Sequence, residues 1–225
     1  MKKILVVAAH PDDEILGCGG TVARLIKEGA EAYTLILGEG ITSRDEKKGK
    51  KSGICEINSL KKYTFRANAV LGIKDIFTHS FPDNRFDIVS LLNIVKVVEK
   101  VKNKIRPDIV FTHYKNDLNK DHRITCQAVI TALRPFAAET VKEIYSFETL
   151  SSTEWNYATA FFPNVFFDVT KTIGLKLKAM AEYKSEIKKS SHPRSIESAH
   201  INAKLWGIKV GLKYAEAFEC IRCIR

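Results

Sequence analysis

The chain has 225 residues, 45% of them hydrophobic and 28% charged, with a formal net charge of +10. That balance suits a globular protein with a sizeable core and excludes a disordered or collagen-like chain. No stretch approaches the ~18 apolar residues that would span a membrane.

"ILVVAA" (Ile4–Ala9) is short, continuous and rich in aliphatic residues, which predicts a buried strand. Glu14–Glu28 reads as a helix entered through Gly17, Gly19 and Gly20, and Ala32–Gly38 as a second strand. Ser52–Leu71 has helical spacing, and Asp75–Phe81 is a third strand closed by Pro82-Asp83-Asn84. Asp87–Ile105 is an amphipathic helix with Asp87 as its expected N-cap and Pro107 as its stop. A fourth strand, Asp108–Tyr114, precedes a helix over Asp121–Phe136. Glu143–Thr149 and Asn164–Thr170 are two further strands, and helices over Lys171–Lys189 and Ser195–Tyr214 fill much of the C-terminal third.

Alternating strands and helices predict an α/β fold: a Rossmann-like three-layer sandwich with a mostly parallel sheet. No long linker or internal repeat interrupts the pattern, so residues 1–225 are expected to form a single domain. The five cysteines (Cys18, Cys55, Cys126, Cys220 and Cys223) are odd in number and widely spaced, and no secretory signal is evident. Reduced thiols and a cytoplasmic location are expected. Cys220 and Cys223 form a lone Cys-x-x-Cys with no second pair, which points to packing.

In doubly wound folds, ligands bind beyond the carboxyl ends of the strands. The unusual residues fall at that edge. His10-Pro11-Asp12-Asp13 follows the first strand, Gly38-Glu39-Gly40 the second and Pro82-Asp83 the third; His113 ends the fourth, with Asp117, Asp121 and His122 beyond it. Imidazole and carboxylate together suit zinc or another divalent transition metal, and a catalytic zinc site uses three protein ligands and one open position. His10 and Asp13, three apart on a turn, can converge on one ion; His122 is the best candidate for a third ligand, and Asp12 for a general base. Gly17-Cys18-Gly19-Gly20 is not a dinucleotide-binding glycine pattern, and acids would repel a pyrophosphate there.

"AHPDDEILGCGGT" (Ala9–Thr21) resembles the signature of the LmbE-like, or PIG-L, zinc-dependent N-deacetylases. The resemblance continues through "LGEGITSR" (Leu37–Arg44), "FPDNRFD" (Phe81–Asp87), "DIVFTHYKNDLNKDHR" (Asp108–Arg123), "SSHPRS" (Ser190–Ser195) and "YAEAF" (Tyr214–Phe218). Characterised members remove acetyl groups from N-acetylglucosamine-type sugars, including GlcNAc-phosphatidylinositol and intermediates of mycothiol and bacillithiol synthesis. The resemblance implies Zn2+ on His10, Asp13 and His122, with Asp12 as the base. Asp121 is then an orienter of an imidazole or a helix N-cap. Many relatives read His-Pro-Asp-His at the last ligand, their first histidine stabilising the oxyanion or protonating the amine. Here the run is Asn119-Lys120-Asp121-His122, so His113, Asp117 or His192 is left to supply that role. Arg44 is an implied substrate contact, and Asp83 with Arg85, after the third strand, is either a fork onto sugar hydroxyls or a self-contained turn salt bridge.

The implied reaction releases acetate and a free amine from an N-acetyl amino sugar. The basic charge keeps phosphorylated, nucleotide-linked or lipid-linked forms open. The lysine-rich stretches "RDEKKGKK" (Arg44–Lys51) and "EIKKSSHPR" (Glu186–Arg194) accompany no nucleic-acid-binding signature, so no nucleic-acid partner is expected. A homo-oligomer is compatible with this reading. The competing readings are a non-catalytic sugar- or metal-binding protein on the same fold and a hydrolase of another amide or ester.

Overall fold

The computed structural model describes residues 1–41, 50–137 and 139–225. Its strands are β1 (Lys3–Ala8), β2 (Glu31–Gly38), β3 (Asp75–Phe81), β4 (Ile109–His113), β5 (Glu143–Phe147), β6 (Val165–Asp168) and β7 (Ala215–Cys223). The helices are α1 (Asp13–Lys27), α2 (Lys50–Leu71), α3 (Leu91–Ile105), α4 (Lys120–Ala132), α5 (Ile173–Glu182) and α6 (Ile196–Lys209). One sheet runs in the order β3-β2-β1-β4-β5-β7-β6. β1 to β5 pair in parallel, and β7 is antiparallel to both of its neighbours. The expected α/β class with a mostly parallel sheet is what forms.

The sheet is covered on both faces because β1 is apolar on both. Leu5 and Val7 pack with Ile94, Val95 and Val98 of α3 and with Ala128 and Val129 of α4. Ile4 and Val6 turn the other way, toward Cys18 and Val22 of α1. From β1 the chain winds outward through β2 to β3, then returns to lay β4 on the far side of β1. The order therefore reverses between β1 and β4, and a crevice opens beyond their carboxyl ends.

Three expectations are corrected. Asp87 does not cap α3: Phe86–Ile88 form a single 3-10 turn, Ser90 occupies the cap position, and Asp87 pairs with Lys120 at 2.9 Å. The turn is pinned there by burial of Phe86, whose N–H donates to Asp121 Oδ1 at 2.9 Å. The two C-terminal helices end earlier than expected, at Glu182 and Lys209. The chain then adds β7, which carries both Cys220 and Cys223 as free thiols.

β7 explains an irregularity in α1. The helix breaks at Cys18 (φ −144°), and at Gly17 it lies so close to β5 that a Cβ would meet the Phe147 ring at 2.2 Å. Around the break, the N–H groups of Gly20 and Thr21 donate to Glu216 of β7 at 3.0 and 2.6 Å. The Leu16 carbonyl accepts from Lys176 Nζ at 2.7 Å, and Lys176 in turn pairs with Glu216 at 2.6 Å. Both charged side chains are buried, so a long-range ion pair satisfies the backbone groups near the broken turn.

Removing one partner of a buried pair strands the other charge. Glu216→Ala is expected to lose about 3–5 kcal/mol of unfolding free energy in urea titrations. Lys176→Met/Glu216→Gln, which removes both charges, should lose less; an equal or greater loss would show that the ion pair is not the stabilising element.

Candidate active site

Between β1 and α1 the chain turns through Ala9-His10-Pro11-Asp12. Asp12 has φ 95°, a left-handed conformation that a residue with a side chain adopts at a cost of about 1–3 kcal/mol. The turn is held by the third acid of the run. Glu14 Oε2 accepts the Asp12 N–H at 3.0 Å, while its Oε1 accepts from Tyr183 Oη at 2.5 Å and from Asn68 Nδ2 at 2.8 Å. Burial pushes the Glu14 carboxyl up to about 7 despite these bonds.

His10 bridges two sets of carboxylates. Its Nδ1 lies 3.5 Å from Asp13 Oδ2, and its Nε2 lies 3.0 Å from Asp121 Oδ2 and 3.2 Å from Asp83 Oδ1. His122 comes from the first turn of α4, with Nε2 3.3 Å from Asp13 Oδ2 and Nδ1 3.1 Å from Asp117 Oδ1. One potential ligand atom from each of His10, Asp13 and His122 lies within 4.8 Å of the others, and the same holds for His10, Asp83 and Asp121. The second set contains Asp121, whose Oδ1 is already taken by Phe86 N–H. It forms the outer carboxylates of an imidazole whose other nitrogen faces the first set, the usual support for a ligating histidine.

The first set fits a divalent cation by its unmet valences. Asp13 and His122 are fully buried, yet Asp13 Oδ1 has no hydrogen-bond partner and neither ring nitrogen of His122 makes an aligned hydrogen bond. Buried polar atoms are rarely left so, and two imidazoles with a carboxylate are the donors a transition metal takes. The charges match. Burial alone would raise the Asp13 carboxyl, but His122 and His10 hold it well below the usual range. Burial would lower the imidazoles, yet carboxylates hold His10 up to about 10, through Asp121 and Asp13, and His122 up to about 9, through Asp13 and Asp117.

Asp12 stands beside this set. Its Oδ2 accepts from Arg194 Nη1 at 3.2 Å, while its Oδ1 has no hydrogen-bond partner among the described residues. Burial pushes the Asp12 carboxyl up, and Arg194 pulls it back.

The remaining sequence candidates are drawn inward. His113 Nε2 accepts the Ala9 N–H at 2.9 Å, which assigns its proton to Nδ1, 3.2 Å from Thr149 Oγ1. Burial first, and the charge of His122 second, keep this ring neutral, stacked on His122 at 4.0 Å. Asp117 accepts from the Asn119 N–H at 2.8 Å and from the hydroxyls of Ser152 and Thr153. Asn119 caps α4, its Oδ1 accepting the Asp121 N–H at 2.8 Å and its Nδ2 donating to Asn84 Oδ1 at 3.0 Å. His192 lies edge-on to Trp155 at 5.9 Å, and its Nδ1 accepts the Arg194 N–H at 3.0 Å. Arg44 lies outside the described residues.

The sequence marks Arg194 only within His192-Pro193-Arg194, a stretch between the two C-terminal helices that either caps the pocket or punctuates a turn, and its pairing with Asp12 escapes sequence reasoning. Arg194 lies within the "SSHPRS" stretch, but its partner Asp12 is 182 positions away. The only signal is that the stretch recurs in the family resemblance.

A doubly wound sheet with this buried His-Asp-His cluster at its switch point defines a candidate metallohydrolase. The family profile described as "PIG-L: GlcNAc-PI de-N-acetylase" matches residues 5–133, which carry every residue of the cluster, and the chain belongs to that family. It is 30% identical over 190 residues to the uncharacterized deacetylase YaiS of Escherichia coli (strain K12), covering 82% of this chain and 91% of that protein. It is 25% identical to the diacetylchitobiose deacetylase of Thermococcus kodakarensis, covering 98% and 84% of the two chains. The fold matches that of the N,N'-diacetylchitobiose deacetylase from Pyrococcus horikoshii with a TM-score of 0.77 at 23% identity, over 98% of this chain and 84% of that one.

Glu14 makes the turn sensitive to pH. Its folded pKa of about 7 lies above the ordinary 4.5, so the folded state holds the proton more tightly. The stabilisation is fully present below pH 4.5 and is lost as pH rises to about 7. Glu14→Gln has no such slope. The stability difference between wild type and Glu14→Gln, from urea midpoints at pH 4.5 to 8, is therefore expected to shift by up to about 3 kcal/mol against the wild type as pH rises. A difference that stays constant would show that Glu14 ionises normally.

Proposed function

We propose that this chain is a metal-dependent N-deacetylase that hydrolyses the acetamide of an N-acetyl amino sugar or its conjugate, with zinc as the resident ion. The observation that carries the reading is a buried trio of ligand atoms on His10, Asp13 and His122, with unmet valences on Asp13 and His122, beside a carboxylate oxygen of Asp12 that no described residue engages. Zinc would polarise the acetamide carbonyl and make water nucleophilic near neutral pH.

His10, Asp13 and His122 would hold the ion. Asp121 and Asp83 would fix the ring of His10 from behind, and Asp117 would do so for His122. Asp12 takes the proton of the attacking water on Oδ1, while Arg194 keeps Oδ2 in place. When the C–N bond breaks, Asp12 returns that proton to the leaving nitrogen while the second proton of the water stays on the acyl oxygen, so acetic acid and a neutral amine leave the site and ionise in solvent to acetate and an ammonium.

The N-acetyl sugar is inferred from the diacetylchitobiose deacetylase relatives and from the family. The net charge of +10 favours a conjugate bearing phosphate, nucleotide or an anionic lipid headgroup. Half-exposed Trp155, beside His192, offers an aromatic edge for a second sugar ring. Residues 1–225 are taken as one domain, since β7 inserts between β5 and β6 and its Glu216 holds α1.

Asp12→Asn is expected to retain the metal, by elemental analysis, while acetate release falls about 100- to 10,000-fold, the usual contribution of a general base. His122→Ala should lose the metal itself. A fully active Asp12→Asn protein, or stoichiometric metal in His122→Ala, would overturn these assignments. Chelation should abolish acetate release and added zinc should restore it.

A further inference from the structure

Attack on an acetamide leaves a full negative charge on the former carbonyl oxygen, and hydrogen-bond donors placed where that charge develops usually contribute more than any other group. Most donors at this sheet edge are already committed. His113 is neutral, with Nε2 accepting from Ala9 and Nδ1 facing Thr149. The amide of Asn119 donates to Asn84, and its oxygen caps α4. His10 Nε2 is turned toward Asp121 and Asp83.

Arg194 differs from these. Its guanidinium lies beside Asp12, with Nη1 on Oδ2 at 3.2 Å, and is anchored through Nε to Ser151 Oγ at 2.7 Å. Ser151 sits in a left-handed turn (φ 70°), next to Ser152 and Thr153, whose hydroxyls hold Asp117 beneath His122. The backbone of Arg194 is tied to His192 at 3.0 Å. One loop thus fixes both the guanidinium and the support of His122. Glu186 lies 3.9 Å from Nη1, too far for a hydrogen bond, and Nη2 donates to no described residue. The side chain remains 20% exposed, against 7% for that of Asp12.

We propose that Arg194 is a catalytic residue that donates from Nη2 to the oxyanion of the tetrahedral intermediate, while its Nη1 holds the base. The proposal rests on the deacetylase reading above. An arginine stays charged throughout, so it stabilises the oxyanion without protonating it, and the proton for the amine still comes from Asp12. Its planar fork addresses two oxygens at once, one on Asp12 and one on the substrate.

The test compares wild type with Arg194→Lys, Arg194→Gln and Arg194→Ala, each loaded with zinc and checked for metal content and thermal midpoint. The readouts are kcat and KM for an N-acetylglucosamine substrate that the wild type hydrolyses, and the inhibition constant of the matching methylphosphonamidate, whose tetrahedral anionic centre mimics the intermediate. Arg194→Ala should lower kcat about 100- to 1000-fold with KM little changed, the phosphonamidate should weaken in parallel, and affinity for the free amine product should stay constant. Arg194→Lys should fall between, because a single ammonium cannot fork; if Arg194→Ala does not fold, Arg194→Lys and Arg194→Gln carry the same comparison. Unchanged phosphonamidate affinity beside a lowered kcat would mean that Arg194 acts through Asp12 alone and would overturn the proposal, as would an unchanged kcat. Absence of acetate release by the wild type from every N-acetyl sugar tried would instead overturn the deacetylase reading, and the proposal with it.

Discussion

The site depends on one backbone conformation, the left-handed turn at Asp12. It places the carboxylates of two adjacent residues, Asp12 and Asp13, at one site, where an extended backbone would send them to opposite sides. The strain is offset by the hydrogen bond from the Asp12 N–H to Glu14, and Glu14 is held by Asn68 of α2 and by Tyr183 just beyond α5. Elements from three parts of the chain thus brace one peptide. All three of these hydrogen bonds end on the Glu14 carboxylate rather than on an apolar surface, so the turn is specified by geometry as well as by burial.

The same logic appears one turn further along α1. A helix packed flush against β5 at Gly17 cannot continue straight into the next layer, and it breaks at Cys18. Backbone groups near a break must find other partners in a dry interior, which here are Glu216 and Lys176. β7 is therefore more than an additional strand. It carries a carboxylate into the body of the fold, where it supports the helix whose first residues form the site.

Much of this was legible in the sequence, for physical reasons. β1, β2 and β4 are short, largely apolar runs between turn residues, and β3 and β5 place aromatic and β-branched residues between turn residues, signals that depend only on local pattern. His10, Asp12, Asp13 and His122 stood out because charged and ligating residues at the ends of buried strands have few structural explanations. β7 was missed because Ala215–Cys223 alternates small, acidic and apolar residues without a clear period, and its partners β5 and β6 are distant in sequence. The start of α3 was misplaced because Asp87 has the composition of an N-cap but lies in the 3-10 turn that buried Phe86 pins to Asp121. The pairing of Arg194 with Asp12 was missed for the same kind of reason: an ion pair across 182 residues leaves no trace in local spacing.

The three consecutive acids show how environment, rather than residue type, divides chemical labour. Asp13, facing His122 and His10, is held in its charged form. Asp12, one residue earlier and equally buried, is pushed toward protonation with only Arg194 opposing. Glu14, one residue later, sits among neutral donors and titrates near 7. Under the proposed function, neighbouring carboxylates whose proton affinities are driven apart would serve as ligand, base and brace without competing for the same proton. That separation arises because the turn sends the three side chains to different partners: Asp13 to the histidines after β1 and β4, Asp12 to the loop before α6, and Glu14 to the layer of α2 and α5.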